Sequence, residues 1–189
     1  FLEPVVIALD EVKVNAVKRN EFSIGYYKSK KSFDMLSGKV RVENASKISI
    51  PKEFTSYRVK KVKIKNGNRK SANPVRLHIY SQGKDGLPDK KLLTDDILIN
   101  KHITANDEID LSHLDLVLSE RVLFVGIEWI KPPNDWGFHH FTDISFGFTQ
   151  EVFERLTYMR SLFDPKYRWV LSGLQHQAPD NLMVSLIID

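Results

Sequence analysis

The sixteen residues "GIEWIKPPNDWGFHHF", Gly126 to Phe141, gather two tryptophans, two histidines, a glutamate and an aspartate. Three chemistries come into question. A metal site would use the histidines. In an extended chain, however, His139 and His140 point to opposite faces and cannot easily grip one ion. Only a loop could bring His140 to Asp143 or His139 to Asp135. No HExxH or HxH spacing occurs, and His78, His102, His113 and His176 are scattered. No metal ligand is therefore assigned, and the pair reads as loop histidines. A glycosidase would need two carboxylates across a cleft. Glu128, inside the apolar run "FVGIEWI", is the candidate of interest, and spacing names no second acid. Its carboxyl is either raised in pKa by burial or reaches solvent, or an Arg or Lys across a sheet; the second reading is favoured. The third chemistry is stacking on a sugar face. Trp129 ends an apolar run and Trp169 alternates with Arg168, so both read as core. Trp136 lies between "KPPND" and Gly137, in a loop, where it either caps the core under a long connection, the slightly favoured reading, or forms a ligand platform. Trp136, His139 and His140 are thus the candidate ligand-binding residues, and no catalytic residue is assigned.

Other motifs carry less. "KDGLPDKK" offers only Asp85 and Asp89 beside three lysines, which is a turn rather than a calcium loop. "TANDEID" holds Asp107, Glu108 and Asp110, and a structural calcium there is not favoured. The chain has no G-x-S-x-G elbow, phosphate loop or dinucleotide fingerprint, and no cysteine. No cofactor is expected.

The elements that would position these residues have a period of two. "YRVKKVKI" puts Tyr57 and Val59 on one face, then Val62 and Ile64 after two lysines. Such a phase slip means a β-bulge or a bent strand. "VVIALDEVKV" slips in the same way. "VRLHIYS" reads as a half-buried strand with Val75, Leu77 and Ile79 inward. "RVLFVGIEWI" is apolar on both faces and reads as a central, doubly covered strand. "DDILIN", "DISFGF", "YRWVLSG" and "NLMVSLIID" complete the series. Turns are expected at 66–68 ("NGN"), 84–89, 131–135 and 164–167. "TQEVFERLTYMRSLF" fits either a helix capped by Thr149 or a strand returning through "DPKY" as "YRWVLSG"; the hairpin is favoured. Twelve of the twenty aromatics lie between Phe124 and Trp169.

Many short strands with Gly, Pro, Asn and Asp between them predict an all-β, antiparallel β-sandwich with a jelly-roll-like path. Residues 1–38 read as an N-terminal extension or the last strand of a preceding module, and 39–189 as the sandwich domain. With 42% apolar and 28% charged residues, 189 residues suffice for one self-supporting core. A net charge of +4, scattered along the chain, does not point to nucleic acid. The lysines of "YRVKKVKIKNGNRK" fit the wet face of a strand. No run of about eighteen apolar residues occurs, so no membrane span is expected. Because the first residue is Phe1, the chain reads as a processed or trimmed piece, with any signal peptide upstream.

"LDEVKVNA", Leu9 to Ala16, resembles the closing strand of the carboxypeptidase-regulatory-like module of Bacteroidetes cell-envelope proteins. "VRLHIYSQGKDGLPDKKLLTDDILI", "IDLSHLDLVLSERVLFVGIEWI" and "YRWVLSG" are similar to a β-sandwich region downstream of such modules. There an Arg-x-x-Ile-Tyr strand precedes an Asp-Gly-x-Pro turn, and a later strand ends near Glu-Trp. The resemblance covers roughly residues 5–16 and 57–188 and implies an exported protein of the periplasm, outer membrane or cell surface. It carries over no catalytic residue. The expectation for function is a non-catalytic accessory domain binding a glycan or a protein, or touching neighbouring domains of its own polypeptide. The alternatives are a carbohydrate-active hydrolase with a central carboxylate, and a purely structural module.

Overall fold

The computed structural model describes residues 20–27, 32–35, 42–69, 75–99, 108–130, 144–149, 154–162, 168–172 and 181–189. Along them run β1 (Phe22–Gly25), β2 (Ser32–Met35), β3 (Val42–Ser49), β4 (Tyr57–Ile64), β5 (Asn66–Arg69) and β6 (Val75–Gln82). There follow β7 (Pro88–Lys91), β8 (Ile97–Ile99), β9 (Glu108–Asp110), β10 (Val117–Leu118) and β11 (Val122–Trp129). The last are β12 (Ile144–Thr149), β13 (Thr157–Ser161), β14 (Val170–Leu171), β15 (Asn181–Leu182) and β16 (Val184–Ile188). Among the described residues the only helical element is a 3-10 turn at Ser112–Leu114.

The strands form an antiparallel sandwich. One layer is a seven-stranded sheet in the order β14-β13-β3-β11-β6-β7, with β8 also on β6. Opposite it lie a five-stranded sheet, β1-β16-β4-β10 with β9 on β4, and a four-stranded one, β15-β12-β2 with β5 on β12. The two opposing sheets share chain paths, since β4 leads into β5 across Lys65 and β15 into β16 across Met183. Inner faces meet in one core. Val75, Leu77, Ile79, Leu123, Val125 and Ile127 come from the first sheet, and Val59, Val62, Ile64, Val184, Leu186 and Ile188 from the second. Phe146 and Leu182 extend this core under the third sheet. Burial of that apolar surface is the dominant driving force for the fold.

The phase slip in β4 is a bulge. Ile187 pairs with Lys61 but Ile188 pairs with Val59, which leaves Lys60 as the extra residue. Tyr57 and Val59 before it, and Val62 and Ile64 after it, are therefore all buried. The lysines of β4 face outward and are ion-paired: Lys60 with Asp189 at 3.6 Å, Lys61 and Lys63 with Glu108 at 3.4 and 2.5 Å. β11 lies between β3 and β6, the doubly covered central strand its composition predicts. The ambiguous segment is the hairpin, with Tyr158 opposite Leu171 and Met159 opposite Val170. The turn after β6 is also as expected. Gly86 takes φ +82°, and Asp85 Oδ1 accepts from the Leu87 amide at 3.1 Å.

Three features differ from the sequence reading. "NGN" at 66–68 is not a turn but part of β5, where Asn66 lies opposite Phe146 and Arg69 opposite Ile144. Pairing with β12 overrides the local turn preference there. The strand β3, "VENASKIS", has no alternating apolar pattern, yet it is central because β11 and β13 pair with its two edges. And β6 is not half-buried: a second apolar cluster of Ala45, Tyr80, Phe124 and Trp169 covers its outer side. Before β3, β1 pairs with β16 and β2 with β12, so residues 22–25 and 32–35 supply strands to the sandwich. "VVIALDEVKV" lies outside the described residues.

Candidate functional site

Chemistry-bearing side chains collect on the outer face of the seven-stranded sheet, and strand register puts them there. Arg160 of β13 is opposite Glu43 of β3, Glu43 is opposite Glu128 of β11, and Glu128 is opposite Arg76 of β6. Four neighbouring strands thus carry a row of charges: plus, minus, minus, plus. Like charges directly opposite each other in a sheet repel. The row is tolerable because each carboxylate finds its cation on its other flank. Arg160 donates to Glu43 Oε2 from Nε at 3.0 Å and from Nη2 at 2.7 Å. Arg76 Nη1 donates to both Glu128 oxygens at 3.1 Å.

The next row is Tyr158, Ala45, Gly126 and His78. Its two central residues are small, and the space above them is filled from either side. The Glu43 carboxylate leans over Gly126, where a Cβ would stand 2.5 Å from Glu43 Oε1 and 3.1 Å from the Tyr80 ring. Tyr80 Oη donates to the same oxygen at 2.7 Å and accepts from Arg160 Nη2 at 2.9 Å. Burial pushes the Tyr80 hydroxyl up, and the Glu43 charge pushes it further, so it stays a proton donor. Trp169 roofs this end: Arg160 lies 4.4 Å from its ring centre, and Tyr80 meets it edge to face at 5.7 Å. Glu43 is wholly buried beneath them. A buried carboxylate persists only with such donors.

At the other end Glu128 Oε2 lies 2.7 Å from His78 Nε2. Burial alone would raise the Glu128 carboxyl. The hydrogen bonds from His78 and Arg76, with their charges, outweigh it and hold the group at about 2. The expected reach to a basic residue across the sheet is thus met by Arg76. The guanidinium of Arg76 also clamps Asp96 through Nε to Oδ1 and through Nη2 to Oδ2, the latter at 3.3 Å.

Beside this clamp the sheet edge opens. β7 and β8 lie end to end along β6. Lys91 pairs with Tyr80, Leu92 N still donates to Ile79 O at 2.8 Å, and pairing resumes at Ile97 with Leu77. Between them the chain arches away opposite His78. The result is a hollow of about 190 Å³, with Arg76 and His78 on its floor, Lys91 at one end and Leu93 to Asp96 around its rim.

Of the residues singled out by sequence, Glu128 is on the outer sheet face. Trp129 is core, edge to face with Phe146 at 5.8 Å, and Trp169 is buried as expected. Trp136, His139 and His140, with the turn at 131–135, lie outside the described residues, as does the turn at 164–167. In the acidic segment Glu108 is held by Lys61 and Lys63, and Asp110 Oδ1 accepts from the Ser112 amide at 2.8 Å. Among the described residues no group of three His, Asp or Glu is placed to hold a metal ion. Nor is any helix there long and apolar enough to cross a membrane.

Sequence reasoning does not find Glu43, Arg160 or Asp96. Glu43 and Arg160 are 117 residues apart and meet only through register. One signal was available: a glycine in the middle of an apolar strand marks a place where another group comes close. Searches against protein-family models and against curated proteins found no match to this chain.

Proposed function

We propose that this chain is a non-catalytic interaction domain of an exported envelope protein, a sandwich of jelly-roll-like path whose partner is a glycan or a protein. The observation that carries the non-catalytic reading is the saturation of its two central carboxylates. Glu43 is buried under Trp169, Tyr80 and Arg160, and Glu128 is held at about 2 by His78 and Arg76. A general acid working near neutral pH needs a raised pKa, and Glu128 is displaced the other way. Export to the periplasm, outer membrane or cell surface rests on the resemblance of the "LDEVKVNA" and sandwich segments. Neighbouring domains of the same polypeptide are further partners, and nucleic acid is not one. The loop carrying Trp136, His139 and His140 belongs to the proposed binding surface on sequence grounds.

The test pairs binding with turnover. The full chain is applied to a glycan array and incubated with a panel of aryl glycosides and oligosaccharides. Retention of defined glycans without hydrolysis is expected. Hydrolysis that disappears in Glu128→Gln would overturn this reading in favour of the hydrolase. Neither retention nor hydrolysis would favour the purely structural module.

A further inference from the structure

We infer that the hollow between β6 and the 92–96 loop recognises the hydroxyl groups of one neutral sugar unit; this rests on the binding role proposed above and gives it a place and a ligand class. The hollow is a product of backbone. Leu92 and Ile97 are both still bonded to β6, so the excursion between them is anchored at its two ends. A site of that kind is formed before its ligand arrives.

Its polar groups alternate in character. Lys91 can only donate, Asp95 and Asp96 can only accept, and Thr94, whose proton goes to Asp95, is left to accept. Three of these are held in place. Arg76 clamps Asp96 from Nε and Nη2, and Thr94 Oγ1 donates to Asp95 Oδ1 at 3.1 Å. Adjacent hydroxyls on a sugar ring ask for this combination, an acceptor for one proton and a donor for the neighbouring oxygen.

Charge narrows the class. Arg76 and Lys91 stand against Asp95 and Asp96, with Glu128 behind Arg76. An anion would meet carboxylates, and a cation would meet the ammonium and guanidinium, so a neutral polyhydroxyl compound fits best. Size narrows it further. About 190 Å³ is well below the several hundred Å³ of a pocket that encloses a larger ligand, which leaves room for one ring of a chain or its terminal unit.

Amide chemical shifts of the full chain, followed while the methyl glycosides of glucose, galactose and mannose are added, test this. Glucuronate serves as the charged comparison. At least one neutral glycoside should shift residues 91–96 together with Arg76 and His78. Lys91→Ala and Thr94→Ala, both at exposed side chains, should each weaken that binding roughly five- to tenfold, the loss of one hydrogen bond. Lys52→Ala, on a distant turn, should leave it unchanged, with equal melting temperatures showing that all three variants fold. Binding that maps elsewhere and survives Lys91→Ala and Thr94→Ala would overturn the assignment while the binding role stands. Tighter binding of glucuronate would overturn the charge argument. If no neutral glycoside binds but the array retains a longer glycan, this site falls and the binding role stands. If neither assay shows binding, the glycan reading falls with it.

Discussion

Gly126 is the residue on which the outer sheet face turns. The absence of a side chain there lets the Glu43 carboxylate tilt away from Glu128 and toward the Tyr80 hydroxyl. Gly126→Ala puts a methyl 2.5 Å from Glu43 Oε1 and 3.1 Å from the Tyr80 ring, both buried. Overpacking of that kind costs about 1–3 kcal/mol, so urea denaturation should show a loss in this range; unchanged stability would mean that the carboxylate lies elsewhere. The Arg160–Glu43 pair invites a double-mutant cycle. Arg160→Met leaves a buried carboxylate with only Tyr80, and a loss of about 3–5 kcal/mol is expected. Glu43→Met added to it should recover much of that loss, since a paired charge is then exchanged for apolar packing. Absence of recovery would show that the two side chains act independently. At this scale the sequence is a partial guide. Glu128 is visible as an acid in an apolar run, and its partner is correctly expected to be a basic residue across the sheet. Glu43 is not visible, because "VENASKIS" looks like a solvated segment until β11 and β13 enclose it.

The elements are better written into the sequence than the contacts between them. Alternation places β4 and β6, apolar runs place β11 and β16, and the slip in "YRVKKVKI" points to the irregularity that the pairing puts at Lys60. Deleting Lys60 tests that assignment directly. Without the extra residue, either Tyr57 and Val59 or Val62 and Ile64 must turn outward from a buried position. Two large buried side chains are lost from the core, each worth about 2–5 kcal/mol. The variant should therefore fail to fold or unfold at far lower urea; wild-type stability would contradict the bulge. What alternation cannot show is which strands become neighbours. "NGN" becomes strand because β12 lies beside it, and the hollow exists because β7 and β8 share one edge of β6 with a gap between them. Both facts are tertiary.

At the scale of the molecule, the sheet face ties acid stability to one group. Glu128 falls from the ordinary glutamate value of 4.5 to about 2 on folding. A carboxyl lowered in this way stabilises the fold above its unfolded pKa, and that contribution disappears as pH falls from 4.5 toward 2. The difference corresponds to at most about 3 kcal/mol. The stability gap between wild type and Glu128→Gln should therefore narrow through this window in denaturation curves taken at successive pH values. A gap that stays constant would assign the effect of the substitution to packing. The sandwich as a class follows from short strands and frequent turn residues, whereas the charged row on its outer face does not, being assembled from β3, β6, β11 and β13 by register alone. Carbon-13 NMR titration of the Glu128 side-chain carboxyl distinguishes an ionised partner of Arg76 and His78 from a general acid. A midpoint near 2 is predicted; a midpoint at or above 4.5 would contradict the account.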